Sequence, residues 1–441
     1  MVNTLKNNFV TIHTDCPSYE KLGWLEVLAN TATSYAYLFD VHSFWMGCIQ
    51  NMIDGQRENG LIPNIVPDYT HGRGDFDDSP SWGTASFVIP WLQYLFYTDT
   101  ASLGTAYQMM QNYLTYLDKK KNTEGFLVHG LGDWMATAGN QRMNVENAVY
   151  VHNLYLMSNV ADILEDCLGG KEYDRKFRMA KEQYNRRFFT LETSTYIPEV
   201  QINQVLPLAF HLIPDGKEAV VMERLSNSIA YPDTNVVKEK KFGKVLPYHS
   251  TVGDIGATYL WRVLGDYGFS PLVEKMILQT DAPSYYNYIL NGMTTMPEHW
   301  LVEQSRSMNH DMYAGIVEWF YRSVAGIRCL SPGFKTFSLK PAFELTPEWV
   351  ECSYLSFYGK IESSWKKINQ MIEWRVEIPD NTSAIIYVPV KEKTLIKDNG
   401  QTLCETDGIR YIGQKDGCLT YSIGSGVYNF CLLYTSPSPR D

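Results

Sequence analysis

From Leu22 to Ile327 the apolar residues recur at helical spacing, and after Gly326 the spacing changes to period two. That switch constrains the chain more than any other feature, because a helical period cannot serve as a strand or the reverse. The first region divides at Gly, Pro and Asn loops into about eleven helical segments: Leu22 to Tyr37, Val41 to Glu58, Ser81 to Thr98, Ala101 to Lys120, Val145 to Leu168, Lys171 to Thr190, Gln201 to His211, Asp215 to Ala230, Thr251 to Gly265, Ser270 to Thr280 and Asn309 to Ala325. Helices in antiparallel pairs can close into a double ring. Eleven is one short of six pairs, so a further helix is expected before Met1.

The second region has short β-branched and aromatic runs at Thr336 to Lys340, Val350 to Phe357, Gly359 to Trp365, Met371 to Ile378, Ser383 to Pro389, Leu419 to Ile423 and Gly426 to Phe430, with a turn signal at Asp398-Asn399-Gly400. The expected fold is therefore mainly α: an (α/α)6 barrel missing its first helix over residues 1–328, then an antiparallel β-sandwich over 329–430, joined near Pro332-Gly333. The end of the chain, Cys431 to Asp441, looks like a translated sequencing adapter and is expected to lie outside the fold. On that reading the chain is a fragment of environmental origin, and Met1 is internal to a longer gene.

A length of 441 residues with 45% hydrophobic composition suffices for one large and one smaller core. A formal charge of -11 disfavours nucleic acid and anionic lipid as partners and favours a neutral one. Trp 11 and Tyr 30 suit the stacking of sugar rings, although cores use aromatics equally. Cys16, Cys48, Cys167, Cys329, Cys352, Cys404 and Cys418 have no metal-ligand spacing and read as free thiols. No apolar run approaches the roughly 18 residues of a membrane span. Met1 to Val10 has no signal-peptide pattern, which leaves cytoplasmic, periplasmic and secreted locations open.

Carboxylates and aromatics concentrate beside Gly and Pro in three segments distant in sequence, which is where a helical scaffold would present chemistry. The first holds Asp15, Glu20, Trp24 and Glu26, and reads equally as a capped helix start. The second is Gly130-Leu131-Gly132-Asp133-Trp134, for which an ordinary turn is the simpler reading. The third is Thr294-Thr295-Met296-Pro297-Glu298-His299-Trp300, followed by Asn309-His310; here Glu298 has neither a helix dipole nor an evident lysine to solvate it. Asp75, Asp77 and Asp78 lack the loop of a calcium site and read as solvated. His299 and His310 lack a third ligand at matching spacing, so no metal is expected.

In this order the segments resemble the catalytic domain of the α-L-rhamnosidases of glycoside hydrolase family 78 over nearly all of residues 10–430. Asp15-Cys16-Pro17 with Glu20-Lys21-Leu22-Gly23-Trp24-Leu25-Glu26 is similar to the family's acid-bearing loop, and Gly60 to Pro63 with Ser81-Trp82-Gly83 to its next loop. Gly132-Asp133-Trp134 follows, and Thr294 to His310 resembles the base-bearing loop. Gly315 to Ile327, Pro332-Gly333-Phe334 and Gly424 to Tyr428 resemble the link and terminal sandwich. The sequence departs from the pattern at Tyr19, commonly Arg, at Pro297, often Trp, and at Glu26, near a place often held by Asp.

The resemblance implies an inverting hydrolase of terminal α-L-rhamnose from a glycoside or polysaccharide, with Glu20 as general acid and Glu298 as general base. It places Asp15, Trp24, Glu26, Asp133, Trp134, Trp300 and His310 in the sugar subsite, with no cofactor. Paired carboxyls are what glycoside cleavage needs, one protonated at the leaving oxygen and one ionised toward water. Another helical-barrel carbohydrate enzyme (a glucoamylase-like hydrolase, a phosphorylase or a lyase) and an inactive sugar-binding protein are the alternatives. The partner expected is a carbohydrate; homodimerisation is left open.

Overall fold

The computed structural model describes residues 1–232, 246–369, 371–390, 394–398, 401–402 and 408–434. They fall into a helical unit, residues 1–93 with 99–317, and a β unit, residues 94–98 with 318–441. The helices are α1 (Val2–Asn7), α2 (Leu25–Leu38), α3 (His42–Gly55), α4 (Pro80–Gly83), α5 (Ala85–Tyr97), α6 (Thr100–Lys120), α7 (Arg142–Ile163), α8 (Cys167–Phe188), α9 (Gln201–Ala209), α10 (Glu218–Ala230), α11 (Asp254–Asp266), α12 (Ser270–Ile277), α13 (Tyr285–Leu290) and α14 (Ile316–Trp319). A short hairpin, β1 (Phe189–Thr190) with β2 (Thr195–Tyr196), follows α8.

Burial sorts these helices into two layers. Every residue of α2 from Leu25 to Tyr37 is buried, as are Gln201 to Leu208 of α9 and all of Asp254 to Gly265 in α11 except Arg262. Between them in sequence stand helices with one apolar stripe: Trp45, Cys48, Ile49 and Met52 on α3, and Val221, Met222, Leu225 and Ile229 on α10. A helix buried all round is enclosed by others, whereas a striped one covers a layer and faces water. The inner helices pack on the outer ones that follow them, α7 on α8, α9 on α10 and α11 on α12, as a double ring of hairpins requires. The expected helix before Met1 concerns residues outside this sequence.

Local departures from the expected segments have visible causes. Ser81 to Thr98 is two helices rather than one: a Cβ on Gly83 would lie 2.0 Å from the Tyr113 hydroxyl, and Thr84 donates to Asn153 Oδ1 at 2.6 Å. Asn309 to Ala325 is helical only at α14 and in the π turn Phe320–Val324 that follows. Residues 309–315 are held open instead by tertiary bonds, His310 N–H to Met296 O at 2.7 Å and Asp311 Oδ2 to the Tyr35 hydroxyl at 2.9 Å. The short α1 and α13 carry too few turns to stand out by periodicity.

The β unit contains β3 (Ile327–Cys329), β4 (Thr336–Leu339), β5 (Trp349–Val350), β6 (Ser353–Ser356), β7 (Gly359–Ile368), β8 (Met371–Ile378), β9 (Ser383–Pro389), β10 (Thr394–Asp398), β11 (Gln401–Thr402), β12 (Ile409–Lys415), β13 (Cys418–Ile423) and β14 (Gly426–Tyr434). One sheet runs β11-β10-β14-β8-β7-β5 with β6 also on β7, and the other β12-β13-β9-β4-β3. Alternate residues such as Ile361, Trp365, Trp374, Val376, Ile386 and Val388 are buried, which is the period-two signal made physical. Asn399 and Gly400 of the expected turn lie outside the described residues, but β10 and β11 on either side pair antiparallel.

Three expectations are corrected in this unit. The sandwich is not wholly antiparallel, because β4 pairs with β9 in parallel. Pro332-Gly333, expected near the junction, forms a tight turn inside the β unit with Gly333 at φ 68°. The last strand does not stop at Phe430: Cys431 to Tyr434 continue β14 along β10, and Leu432 is fully buried. Only Thr435 to Asp441 of the expected tail remain, and they lie outside the described residues.

Candidate active site

A cavity of about 490 Å³ opens in the helical unit, lined by residues from all three acid-bearing segments. Glu20, Trp24 and Glu26 come from the first, Leu131, Trp134 and Met135 from the second, and Glu298, His299, Gln304, Arg306, His310 and Met312 from the third, with Phe76 and Trp82 between. The geometry follows from the backbone. The first loop folds back on itself through Lys21 N–H to Cys16 O at 3.1 Å and Asp15 N–H to Leu22 O at 3.0 Å, and Lys21 adopts φ 62°. At Gly23 a Cβ would lie 2.2 Å from Val66 O, so only glycine lets the chain pass close enough for Val66 N–H to bond Gly23 O at 2.9 Å. The third loop is clasped at its two ends by Glu298 N–H to Ser307 O at 3.0 Å and His310 N–H to Met296 O at 2.7 Å.

Glu20 stands at the end of its loop, and Trp24 Nε1–H donates to its Oε2 at 2.8 Å. Much of the Glu20 side chain is exposed, yet partial burial of its carboxyl raises its pKa above the ordinary glutamate value; the Trp24 bond opposes this, while the charges of Asp15 and Glu298 add to it. Glu298 is half-buried and its Oε2 accepts from Ser307 N–H at 3.2 Å. The aromatic wall is continuous, with Trp24 edge-on to Phe76 at 6.4 Å and Phe76 edge-on to Trp134 at 5.5 Å.

Behind this surface lies a second tier. Glu26 is buried on α2 with Oε2 lacking a hydrogen bond, and burial first, then the charge of Asp15, raises its pKa well above normal. Asp254 at the start of α11 is raised likewise, by burial and then by Glu26. Asp15 does not line the cavity: at 1% exposure it accepts Leu22 N–H at 2.9 Å and stands 3.6 Å from His310 Nε2, which does. Burial raises the pKa of Asp15, and His310 pulls it back.

Like Asp15, two further expected subsite residues are not among those lining the cavity. Both Asp133 oxygens are taken, by Gly253 N–H at 2.7 Å and Gly256 N–H at 2.9 Å, so this carboxylate caps α11 rather than facing the cavity. Its burial raises the pKa to about 7. Trp300 is 1% exposed, stacked on Tyr313 at 4.2 Å and on Tyr288 at 5.5 Å, and is a core side chain. Glu26, Trp24, Trp134 and His310 do line the cavity.

Sequence reasoning missed Glu146, which accepts from Ser81 N–H at 2.7 Å, Ser81 Oγ at 2.9 Å, Gly132 N–H at 2.8 Å and Ser79 Oγ at 3.1 Å, and so ties Trp82 and the Gly132 loop together. A Glu in mid-helix carries no signal of that role. It also missed Phe76, Met135, Gln304, Arg306 and Met312 as lining residues. The Asp75 loop is pinned rather than solvated, with Asp75 to Arg142 at 2.8 Å, Asp77 to Arg57 at 2.6 Å and Asp78 to Tyr116 at 2.5 Å. Among the described residues no group of three or more His, Cys, Asp or Glu side chains is placed to hold a metal, and no helix is long and apolar enough to cross a membrane.

Comparison with known proteins agrees with this layout. Residues 1–324 match the bacterial alpha-L-rhamnosidase 6 hairpin glycosidase domain, and residues 326–403 the bacterial alpha-L-rhamnosidase C-terminal domain. An alpha-L-rhamnosidase of Formosa agariphila is 25% identical across 98% of this chain and 47% of its own length; one from Alteromonas sp. is 26% identical across 90% and 44%. The chain thus spans about half the length of the curated relatives it matches. Among solved structures, alpha-L-rhamnosidase from Dictyoglumus thermophilum superposes with TM-score 0.86 at 24% identity, covering 98% of this chain and 49% of that one. The Streptomyces avermitilis enzyme complexed with L-rhamnose gives 0.84 at 22%, covering 98% and 41%. With most of its length, and the whole of the cavity, inside the first matched domain, this chain belongs to the bacterial α-L-rhamnosidase six-hairpin glycosidase family.

Proposed function

We propose that the chain is the catalytic portion of a glycoside hydrolase that releases terminal α-L-rhamnose with inversion of configuration. The observation that carries this reading is Glu20 and Glu298 sharing one cavity walled by Trp24 and Trp134. The two carboxyls differ in environment as an acid and a base must. Burial favours the protonated form of Glu20, which suits it to give a proton to the leaving oxygen. Glu298, oriented by the hydrogen bond from Ser307 N–H to its Oε2, is the carboxyl on the same cavity that can draw a proton from water. Trp24 and Trp134 offer apolar faces to the sugar, while His310, steadied by Asp15, offers a polar group.

The rhamnose assignment rests on the names of the relatives, and the inverting course on the resemblance to glycoside hydrolase family 78. A panel of nitrophenyl glycosides, followed by proton NMR of the first-formed sugar, tests both. Turnover confined to the α-L-rhamnoside, with the β-anomer appearing first, is expected. Retention would reject the single-displacement roles, and dependence on added phosphate or an ultraviolet-absorbing unsaturated product would indicate a phosphorylase or a lyase instead.

A further inference from the structure

The cavity holds one permanent cation that the chemistry above does not use. Arg306 is the only Lys or Arg among its lining residues, in the company of Glu20, Glu26 and Glu298. A guanidinium beside carboxylates ordinarily forms a forked pair with one of them. Arg306 instead has neither an ion pair nor a side-chain hydrogen bond among the described residues. Nor is it on a loose tip: its neighbour Ser307 is bonded to Glu298 through both N–H and C=O, at 3.2 and 3.0 Å, and Ser305 Oγ accepts His299 N–H at 3.0 Å.

Burial gives the cavity a direction. Among the lining residues Trp82, Leu131, Glu26, Met312 and His310 are only 3 to 6% exposed, whereas Glu20, Gln304 and Arg306 are exposed and face solvent. A terminal sugar that reaches the buried lining residues leaves the rest of its glycan on the solvent-facing side. Rhamnose is a neutral deoxyhexose with no charge for Arg306 to meet, so an anion that pairs with this guanidinium would stand on what rhamnose is attached to.

Resting on the rhamnosidase reading, we propose that Arg306 forms an anion subsite at the cavity mouth, which selects glycans whose sugar next to the rhamnose bears a carboxylate or a sulfate. With Gln304 beside it, the guanidinium offers planar donors to two oxygens of either group. A net charge of -11 gives the rest of the molecule no general attraction for such a substrate, so the preference is local to this residue.

The test uses the whole chain and three rhamnosyl disaccharides: a free uronic acid, its methyl ester, which differs only in the charge, and a sulfated neutral sugar. Wild type should show kcat/KM for the acid, the sulfate or both roughly tenfold above the ester, a preference that shrinks in high salt. Arg306→Gln should bring those ratios to within about twofold, and Arg306→Lys should keep part of them. Preference for only one anion names the source. Equal wild-type rates on charged and neutral substrates would overturn the proposal, as would an Arg306→Gln variant that loses the same factor on all three, which would place Arg306 on the rhamnose itself. If wild type fails to hydrolyse even nitrophenyl α-L-rhamnoside, the rhamnosidase reading falls; calorimetric binding of acid against ester then still decides for or against the anion subsite.

Discussion

Two pairs of acids in the helical unit meet opposite fates. Asp133 and Glu146 are fully buried, and between them they accept six hydrogen bonds from backbone amides and serine hydroxyls. Glu20 and Glu298 lie at a cavity surface, and each carboxylate accepts one, from Trp24 and Ser307 respectively. A carboxylate whose acceptor sites are filled by the protein holds the scaffold, and one with sites to spare can meet substrate and water. The pinned pair makes the free pair possible: Asp133 anchors the Trp134 loop to α11, and Glu146 anchors Trp82 and Gly132 to α7.

The largest effect should come from the free pair. If Glu298 is the base that activates water, Glu298→Gln should cost roughly 10² to 10⁴-fold in kcat/KM on every substrate. Glu20→Gln should lose a similar factor on a sugar-linked rhamnoside but far less on a nitrophenyl rhamnoside, whose phenolate departs with little protonation. Steady-state kinetics on both substrates, with circular dichroism to confirm folding, separates the roles. Equal losses for both variants on both substrates would leave the acid and base labels without support.

The distinction between the pairs is also the limit of what the sequence discloses. Glu20, Trp24, Glu26, Trp134, Glu298 and His310 were legible because motif order places them, and Pro, Gly and aromatic neighbours mark their loops. That Asp133 and Trp300 lie behind the cavity lining was not legible, because a Gly-flanked acid and a loop indole look the same whether they face a cavity or pack into the interior. Glu146 and Arg306 were invisible, since nothing local distinguishes a mid-helix Glu or a loop Arg until its partners, or the want of them, are seen. The helices and strands were legible through their periods; the opened segment 309–315 was not, because it is held by bonds to Met296 and Tyr35, far away in sequence.

Substitutions in the pinned pair should cost stability rather than chemistry. Asp133→Ala strands the N–H groups of Gly253 and Gly256 in the interior and should destabilise by about 2–4 kcal/mol in a denaturant titration. Glu146 shows the same logic through pH. Burial raises its pKa to about 7, above the ordinary glutamate value, so the folded state binds the proton more tightly than the unfolded one. Its contribution is therefore complete below about pH 4.5, the unfolded value, and is lost as pH rises through about 7. Asp133, raised to about 7, behaves alike. The melting temperature should fall between pH 5 and pH 8, and Glu146→Gln, which cannot titrate, should flatten part of that slope. An unchanged slope in the variant would place the titrating group elsewhere.

The smallest effect tests the free pair at the bond Trp24 makes to Glu20. Trp24 Nε1–H donates to Glu20 Oε2 at 2.8 Å and thereby favours the carboxylate, against the burial that favours the acid. Trp24→Phe keeps an aromatic face toward the sugar but deletes this donor, so the proton on Glu20 is held more tightly. If Glu20 is the general acid, the high-pH limb of kcat/KM reports the loss of its proton in the free enzyme, and that limb should move to higher pH in the variant. The plateau rate will drop as well through lost stacking, which is why the position of the limb, not its height, is the measurement. An unmoved limb together with an intact plateau would mean that another group supplies the proton, and Glu20 would then join Asp133 as an acid that serves the structure alone.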